Sequence, residues 1–256
     1  MTSTLFLFLT FFATVFAIPA NIKNPDSFMY NDGMLGGDIA GGYEIVTDED
    51  GKTAIIPSSN YVFWPNSVMY YEIHESLADH RDIIMSAMDE YHENTCLRFE
   101  ERNGDESIEN YVLLRGDISG CSSYKGMRVS GFQEVKLHVP GCIYKGTIMH
   151  ELMHAAGFWH EHQRFDRNDY VRIAFENVEA GKEHNFDIAD LTESQNVGDV
   201  SYNFDSIMHY ELTAFSVNDE RTIVPIGEFE NEDPGNVWNQ NYMSQGDIDQ
   251  INAVYC

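Results

Sequence analysis

Basic residues are scarce in this sequence: 15 Lys and Arg stand against 42 Asp and Glu, for a formal charge of −27. A field of that sign repels polyanions, so nucleic acid and anionic membrane surfaces are excluded as partners. Long apolar runs are missing beyond the first 17 residues, which leaves no segment able to cross a bilayer. Cysteine is limited to four residues. In an exported chain that number implies two disulfides, with three pairings open. No N-x-Ser/Thr sequon occurs, so no N-glycan is expected. Internal repeats and low-complexity tracts are absent as well, which argues against a solenoid or a linker-rich chain.

What is present begins with residues 1–17. They carry no charged side chain and read Leu5-Phe6-Leu7-Phe8-Leu9 into Phe11-Phe12, with small residues at Ala13 and Ala17. This is the pattern of a secretory signal peptide cut near Ala17. An exported, soluble protein is expected. About 240 residues remain, enough for one domain or two lobes sharing a cleft. From Ile18 to about Lys52 the chain is rich in Asn, Asp and Gly, with Gly36-Gly37 and Gly41-Gly42 interrupting any period. Such a segment suits an extended course over a preformed surface better than an independent domain.

The most informative stretch is His150-Glu151-Leu152-Met153-His154-Ala155-Ala156-Gly157-Phe158-Trp159-His160. On a helix, His150 and His154 leave the same face, and Glu151 lies beside it. Gly157 can adopt a left-handed conformation and end the helix, after which His160 can supply a third nitrogen. Three neutral histidines with an open water position form the ligand set of a catalytic zinc site. Zinc there would lower the pKa of a bound water to about 7, with Glu151 as general base toward that water and proton donor to the leaving amine.

The order H-E-x-x-H-x-x-G-x-x-H is the metzincin signature. It continues as His160-Glu161-His162-Gln163-Arg164-Phe165-Asp166-Arg167, with Ser206-Ile207-Met208-His209-Tyr210 downstream. Together these resemble the astacin family of secreted zinc endopeptidases, over about Thr53 to Cys256. The resemblance implies an α+β fold: a twisted, mostly parallel sheet with helices in the upper lobe, a long zinc helix, and an irregular lower lobe ending in a helix. It implies one zinc ion per subunit, a monomer, and protein or peptide substrates. Tyr210 becomes a displaceable zinc ligand that can turn to hydrogen-bond the reacting carbonyl, and Met208 an apolar floor beneath the histidines. The disulfide pairing implied is Cys96 with Cys256 and Cys121 with Cys142.

Leu35-Gly36-Gly37-Asp38 resembles the F-x-G-D element of astacin propeptides, with Leu35 in place of phenylalanine. The resemblance assigns Asp38 to the zinc in the latent precursor. With the signal peptide read at 1–17, it sets the remaining divisions at 18–52 propeptide and 53–256 protease. Lys52 then offers the cut for a trypsin-like activating protease, and Glu161 the buried partner of the freed Thr53 amine. With no further module after Cys256, a minimal single-domain form is expected. The alternative is a catalytically inactive secreted protein that keeps zinc for stability and binds a partner. Glu151 opposes it, because a structural zinc needs no adjacent carboxylate.

The remaining pattern is coarser. Val68–Ile73 reads as a strand, and Ile83, Ile84, Ala87, Met88 and Tyr91 recur at helical spacing over Ala78–Glu93. Leu97–Glu100, Tyr111–Arg115 and Glu134–His138 are short strand candidates. The zinc helix is expected from Tyr144 to Ala156. Ser244-Gln245-Gly246-Asp247 reads as the capping-box start of a last helix. His162 and His209 are expected to support the site without binding metal. Arg164, Asp166 and Arg167 are expected to form ion pairs in the loop after His160.

Overall fold

The computed structural model describes residues 28–47, 53–189 and 200–256. The signal-peptide stretch and Lys52 lie outside the described residues. In chain order come β1 (Ile39–Gly41), β2 (Tyr43–Thr47), β3 (Thr53–Pro57), β4 (Tyr61–Val62), β5 (Val68–Ile73) and α1 (Arg81–Asn94). They are followed by β6 (Arg98–Glu101), β7 (Val112–Arg115), β8 (Cys121–Tyr124), β9 (Met127–Arg128), β10 (Gln133–Leu137) and α2 (Lys145–Ala155). Two short strands, β11 (Val171–Ile173) and β12 (Ile223–Pro225), precede α3 (Gln245–Tyr255).

Six strands form one sheet in the order β1-β8-β10-β7-β5-β6. Four of its pairings are parallel and β8–β10 is antiparallel, so the sheet is mixed and mostly parallel. Strand β5 alternates as expected of a sheet with one buried face: Met69 and Tyr71 are buried between less buried neighbours. Helix α1 covers that face with Ile84, Ala87, Met88 and Tyr91. The expected helix from Ala78 begins later, because Glu75–His80 forms a 3₁₀ segment with Leu77 buried, and His80 leaves helical dihedrals before Arg81.

Helix α2 is enclosed on every side, with all residues from Gly146 to Ala155 buried. A Cβ on Gly146 would lie 1.9 Å from the Val237 carbonyl, so only glycine lets the helix start against that loop. Its end is a Schellman motif: Gly157 at φ 112° donates to His154 O, and Phe158 donates to Met153 O. The turn required before His160 is therefore built from the backbone itself.

Beyond His160 the chain packs a second cluster with little regular structure, including Val171, Phe186, Tyr202, Phe204, Tyr210 and Phe215. Helix α3 returns to the first cluster through Ile251 and Tyr255, and the Cys96–Cys256 disulfide ties its end beside α1. Cys121 is bonded to Cys142, joining β8 to the loop before α2. Between the clusters run residues 28–41. Met29 enters the first cluster and Tyr30 packs on Phe215 of the second. Leu35 and Ile39 bury against Trp159 and Ala189. The glycine-rich segment thus contributes an edge strand and core side chains, where the sequence suggested only an extended covering.

Candidate metal centre

Helix α2 supplies His150 and His154 from one face, and the Gly157 turn brings His160 opposite them. The ligand atoms of these three and of Asp38 all lie within 4.8 Å of one another, and all four residues are buried. An Asp38 carboxylate oxygen is 3.1 Å from His150 Nε2, 3.1 Å from His160 Nε2 and 3.4 Å from His154 Nε2.

The other ring nitrogens settle what the inward ones can do. His150 Nδ1 is 2.6 Å from Ile207 O, His154 Nδ1 is 2.8 Å from Phe158 O, and His160 Nδ1 is 3.1 Å from Gln163 Oε1. Each Nδ1 faces an acceptor and so carries the proton, leaving a lone pair on each Nε2. His154 Nε2 and His160 Nε2 then stand 3.2 Å apart with no hydrogen between them. Three lone pairs and a carboxylate facing one point need a cation among them. Nitrogen-rich ligation with a single oxygen suits zinc and not calcium or magnesium. Burial pushes His154 down to about 4, against the pull of Asp38.

Glu151 is fully buried next to the ligands, and neither of its oxygens has a hydrogen-bond partner among the described residues. Burial, and then the charge of Asp38, push its carboxyl well above the ordinary value. Tyr210 donates its phenol hydrogen to Gly36 O. Its ring lies 4.7 Å from that of His160 and 3.9 Å from that of His162. Burial, then Asp38 and Glu151, keep the phenol protonated. Gly36 sits at φ 59°, and a Cβ there would meet the His160 ring at 2.6 Å.

Met208 is buried in the first cluster, and its carbonyl accepts from Glu161 N–H at 2.9 Å. Glu161 accepts from Asn203 N–H at 2.8 Å, and from Arg164 and Gln250 at 3.3 Å each. Burial raises its carboxyl to about 7, with Arg164 opposing. Arg164 also grips Asp166 with two bonds. Arg167 departs from the expected ion pair: it donates to the carbonyls of His162 and Phe186. His209 bonds Tyr210 O and Tyr202, and His162 bonds Asn185 O, so neither reaches the metal position.

Gln163, Gly36 and Asp247 also build the centre, though the sequence did not single them out for it. Gln163 was findable in principle, three residues past a ligand. Asp247 accepts from Ser206 Oγ at 2.6 Å and Ile207 N–H at 3.2 Å while completing the capping box of α3 with Ser244. It therefore holds the turn whose Ile207 carbonyl orients His150. Asp247→Ala is expected to cost about 2–4 kcal/mol in urea unfolding and to weaken metal retention, because several charge-assisted bonds are lost together.

The family model for the astacin peptidases matches residues 57–256. The chain belongs to the astacin family. Zinc metalloproteinase nas-14 of Caenorhabditis elegans is 37% identical over 194 residues, covering 75% of this chain and 37% of that protein. Mouse meprin A subunit beta is 34% identical over 262 residues, covering 98% and 35%. The chain thus spans about a third to a half of the length of the curated relatives it matches. The solved structure of high choriolytic enzyme 1, a hatching-enzyme zinc protease from the medaka Oryzias latipes, superposes with a TM-score of 0.63. It shares 34% identity, and the match covers 76% of this chain and 93% of that one. Astacin membership and the His₃/Asp donor set together make zinc the metal of this centre.

Proposed function

We propose that this astacin is a secreted zinc endopeptidase made as an inactive precursor, with residues 1–17 as signal, 18–52 as propeptide and 53–256 as the enzyme. The convergence of Asp38 on three histidine Nε2 atoms carries the reading: one carboxylate from the N-terminal segment stands where the attacking water would have to be. Lys52, a basic residue directly before Thr53 in the sequence, supports a cut at that bond by a trypsin-like protease.

Zinc, held by His150, His154 and His160, supplies acidification of a water and polarisation of the scissile carbonyl when bound. Glu151 takes the proton of the attacking water and passes it to the leaving amine. Departure of Asp38 removes one of the two causes that raise Glu151, moving its carboxyl toward the range of a working base. Release of Gly36 frees the Tyr210 hydroxyl to donate to the carbonyl oxygen as it gains charge. Met208 floors the site from the first cluster. Glu161 becomes the partner of the Thr53 amine, whose positive charge would ionise a carboxyl now held at about 7. The inactive-binder reading leaves Glu151 unexplained, since an unpaired buried carboxylate lowers stability without helping to hold metal.

Casein cleavage by the purified full chain, before and after limited trypsin treatment followed by trypsin inhibition, tests the proposal. Activity should appear only after cutting, vanish with 1,10-phenanthroline and return with added zinc. Processed, zinc-loaded protein without activity on casein or gelatin would favour the binder.

A further inference from the structure

Glu211 directly follows Tyr210 in the chain, and its carboxylate accepts from two distant segments. Oε2 accepts from Asn236 Nδ2. Oε1 accepts at 2.9 Å from the hydroxyl of Tyr30, a residue of the N-terminal segment. The Tyr30 ring lies 4.3 Å from that of Phe215, with 33° between the planes, and 6.2 Å from that of Tyr210. Phe215 holds φ 53°, a left-handed backbone that is unfavourable for a bulky side chain and concentrates at functional sites. Ala214 N–H donates to Glu211 O at 3.2 Å and Glu179 N–H to Phe215 O at 2.9 Å, which keeps the loop in that shape. The loop thus presents a flat ring and a carboxylate to one place, and a tyrosine fills it.

That place borders the metal centre. A Cβ on Gly37, the residue before Asp38, would lie 3.1 Å from Tyr30 Cα and 3.0 Å from the Phe215 ring. A cavity of about 470 Å³ opens beside Tyr30, walled by Asp32 on the N-terminal side and by Glu179, Glu211, Phe215 and Asp219 on the other. Lys182 also lines it and pairs with Asp32. Loss of residues 18–52 would take Tyr30 and Asp32 away together. The Phe215 face, the Glu211 carboxylate and Lys182 would then stand uncovered beside the zinc ligands.

We infer that Phe215 and Glu211 form a substrate subsite that selects a tyrosine side chain within a few residues of the scissile bond, and that Tyr30 occupies it in the precursor. The inference rests on the endopeptidase and propeptide readings above. A tyrosine supplies both parts: a ring to lie on Phe215 and a hydroxyl to donate to Glu211. Phenylalanine keeps the ring contact but leaves Oε1 without that donor while the ring itself hinders water, and this loss discriminates between the two. An arginine or lysine would meet the same carboxylate. However, Lys182, released from Asp32, puts a positive charge on the same cavity and reduces what a second cation gains. Glu211 and Phe215 decide which peptide binds and take no part in bond breaking.

The test uses the full chain processed by limited trypsin, with the trypsin then inhibited, and a fluorescent alanine-rich peptide series. One Tyr, Phe or Arg is moved through the series position by position. At one or two positions kcat/KM for Tyr should exceed that for Phe by about tenfold, as for a charge-assisted hydrogen bond. In Glu211→Leu that ratio should fall to about one, and in Glu211→Gln, which keeps an oxygen acceptor without the charge, to a value between. Binding of the same peptides to processed Glu151→Gln protein, read by anisotropy, should show the same preference without requiring turnover. If no peptide is cleaved but this binding preference appears and follows Glu211, the catalytic reading fails and the subsite stands. A Tyr-to-Phe ratio near one at every position, by cleavage or binding, overturns the subsite and leaves the Tyr30 contact as a latch of the precursor alone. So does a ratio that survives Glu211→Leu. A larger gain for Arg than for Tyr at the same position overturns the choice of tyrosine, since acidity alone would then do the selecting.

Discussion

Glu151→Gln should lower kcat/KM for peptide cleavage by about 10²–10⁴-fold, the usual contribution of a positioned general base. Zinc content should stay at one ion per chain, because each histidine is oriented by Ile207 O, Phe158 O or Gln163 and none by Glu151. Thermal stability should hold or rise. The native carboxyl is fully buried with neither oxygen hydrogen-bonded among the described residues, so a neutral amide of the same shape gives up no bond. This combination separates catalysis from structure. A variant that loses zinc along with activity would make Glu151 part of the metal-holding frame, and one that keeps activity would remove it from the reaction. The pH profile offers a second reading. Burial and Asp38 both raise the Glu151 carboxyl in the precursor. The acid limb of kcat/KM in processed enzyme should report the Glu151 carboxyl, lower than in the precursor because the charge of Asp38 has gone. That limb should be absent from the residual activity of the Gln variant.

The metal centre was legible because its geometry is local. Spacing of four puts His150 and His154 on one helical face, and a glycine able to hold φ 112° turns the chain for His160. The same holds for α3, whose Ser244 and Asp247 form the capping box from four consecutive residues. Strand β5 was also readable over Val68–Ile73, since alternation is carried within the strand. Strands β1 and β8 were not. β1 has three residues, two of them Ala40 and Gly41, and its partner β8 reads Cys-Ser-Ser-Tyr. Neither has an apolar pattern, and their pairing comes from tertiary position beside the cleft. Gln163 and Asp247 escaped notice as parts of the centre for a similar reason. Their roles depend on what the chain brings opposite them, 40 residues away in the case of the Asp247–Ile207 contact. The family resemblance supplied the Asp38 assignment and the disulfide pairing, which the residues alone left open.

Asp38→Ala should give a precursor that cleaves peptides before any cut at Lys52, at a rate roughly 10²-fold or more above the wild-type precursor. Losing one member of a buried charged cluster costs about 3–5 kcal/mol, and that difference converts to about two to three and a half decades in the open population. The activity should still fall short of the processed enzyme. Pairing of β1 with β8, burial of Leu35 and Ile39 on Trp159, and the Tyr30–Glu211 bond all persist in the variant and keep the segment in the cleft. Gly36→Ala approaches the same latch without touching the charge. Its Cβ would meet the His160 ring at 2.6 Å and the Tyr210 hydroxyl at 3.3 Å, at a backbone φ of 59° that disfavours any side chain. It should raise precursor activity too, because Asp38 cannot keep its place when the residue two before it is pushed out. Trypsin treatment should bring both variants to the wild-type rate, since the altered residues leave with the segment. A folded Asp38→Ala precursor that stays silent until cut would move latency from the carboxylate to the strand that covers the cleft. In that case Gly36→Ala, which displaces backbone, should open the precursor where Asp38→Ala does not.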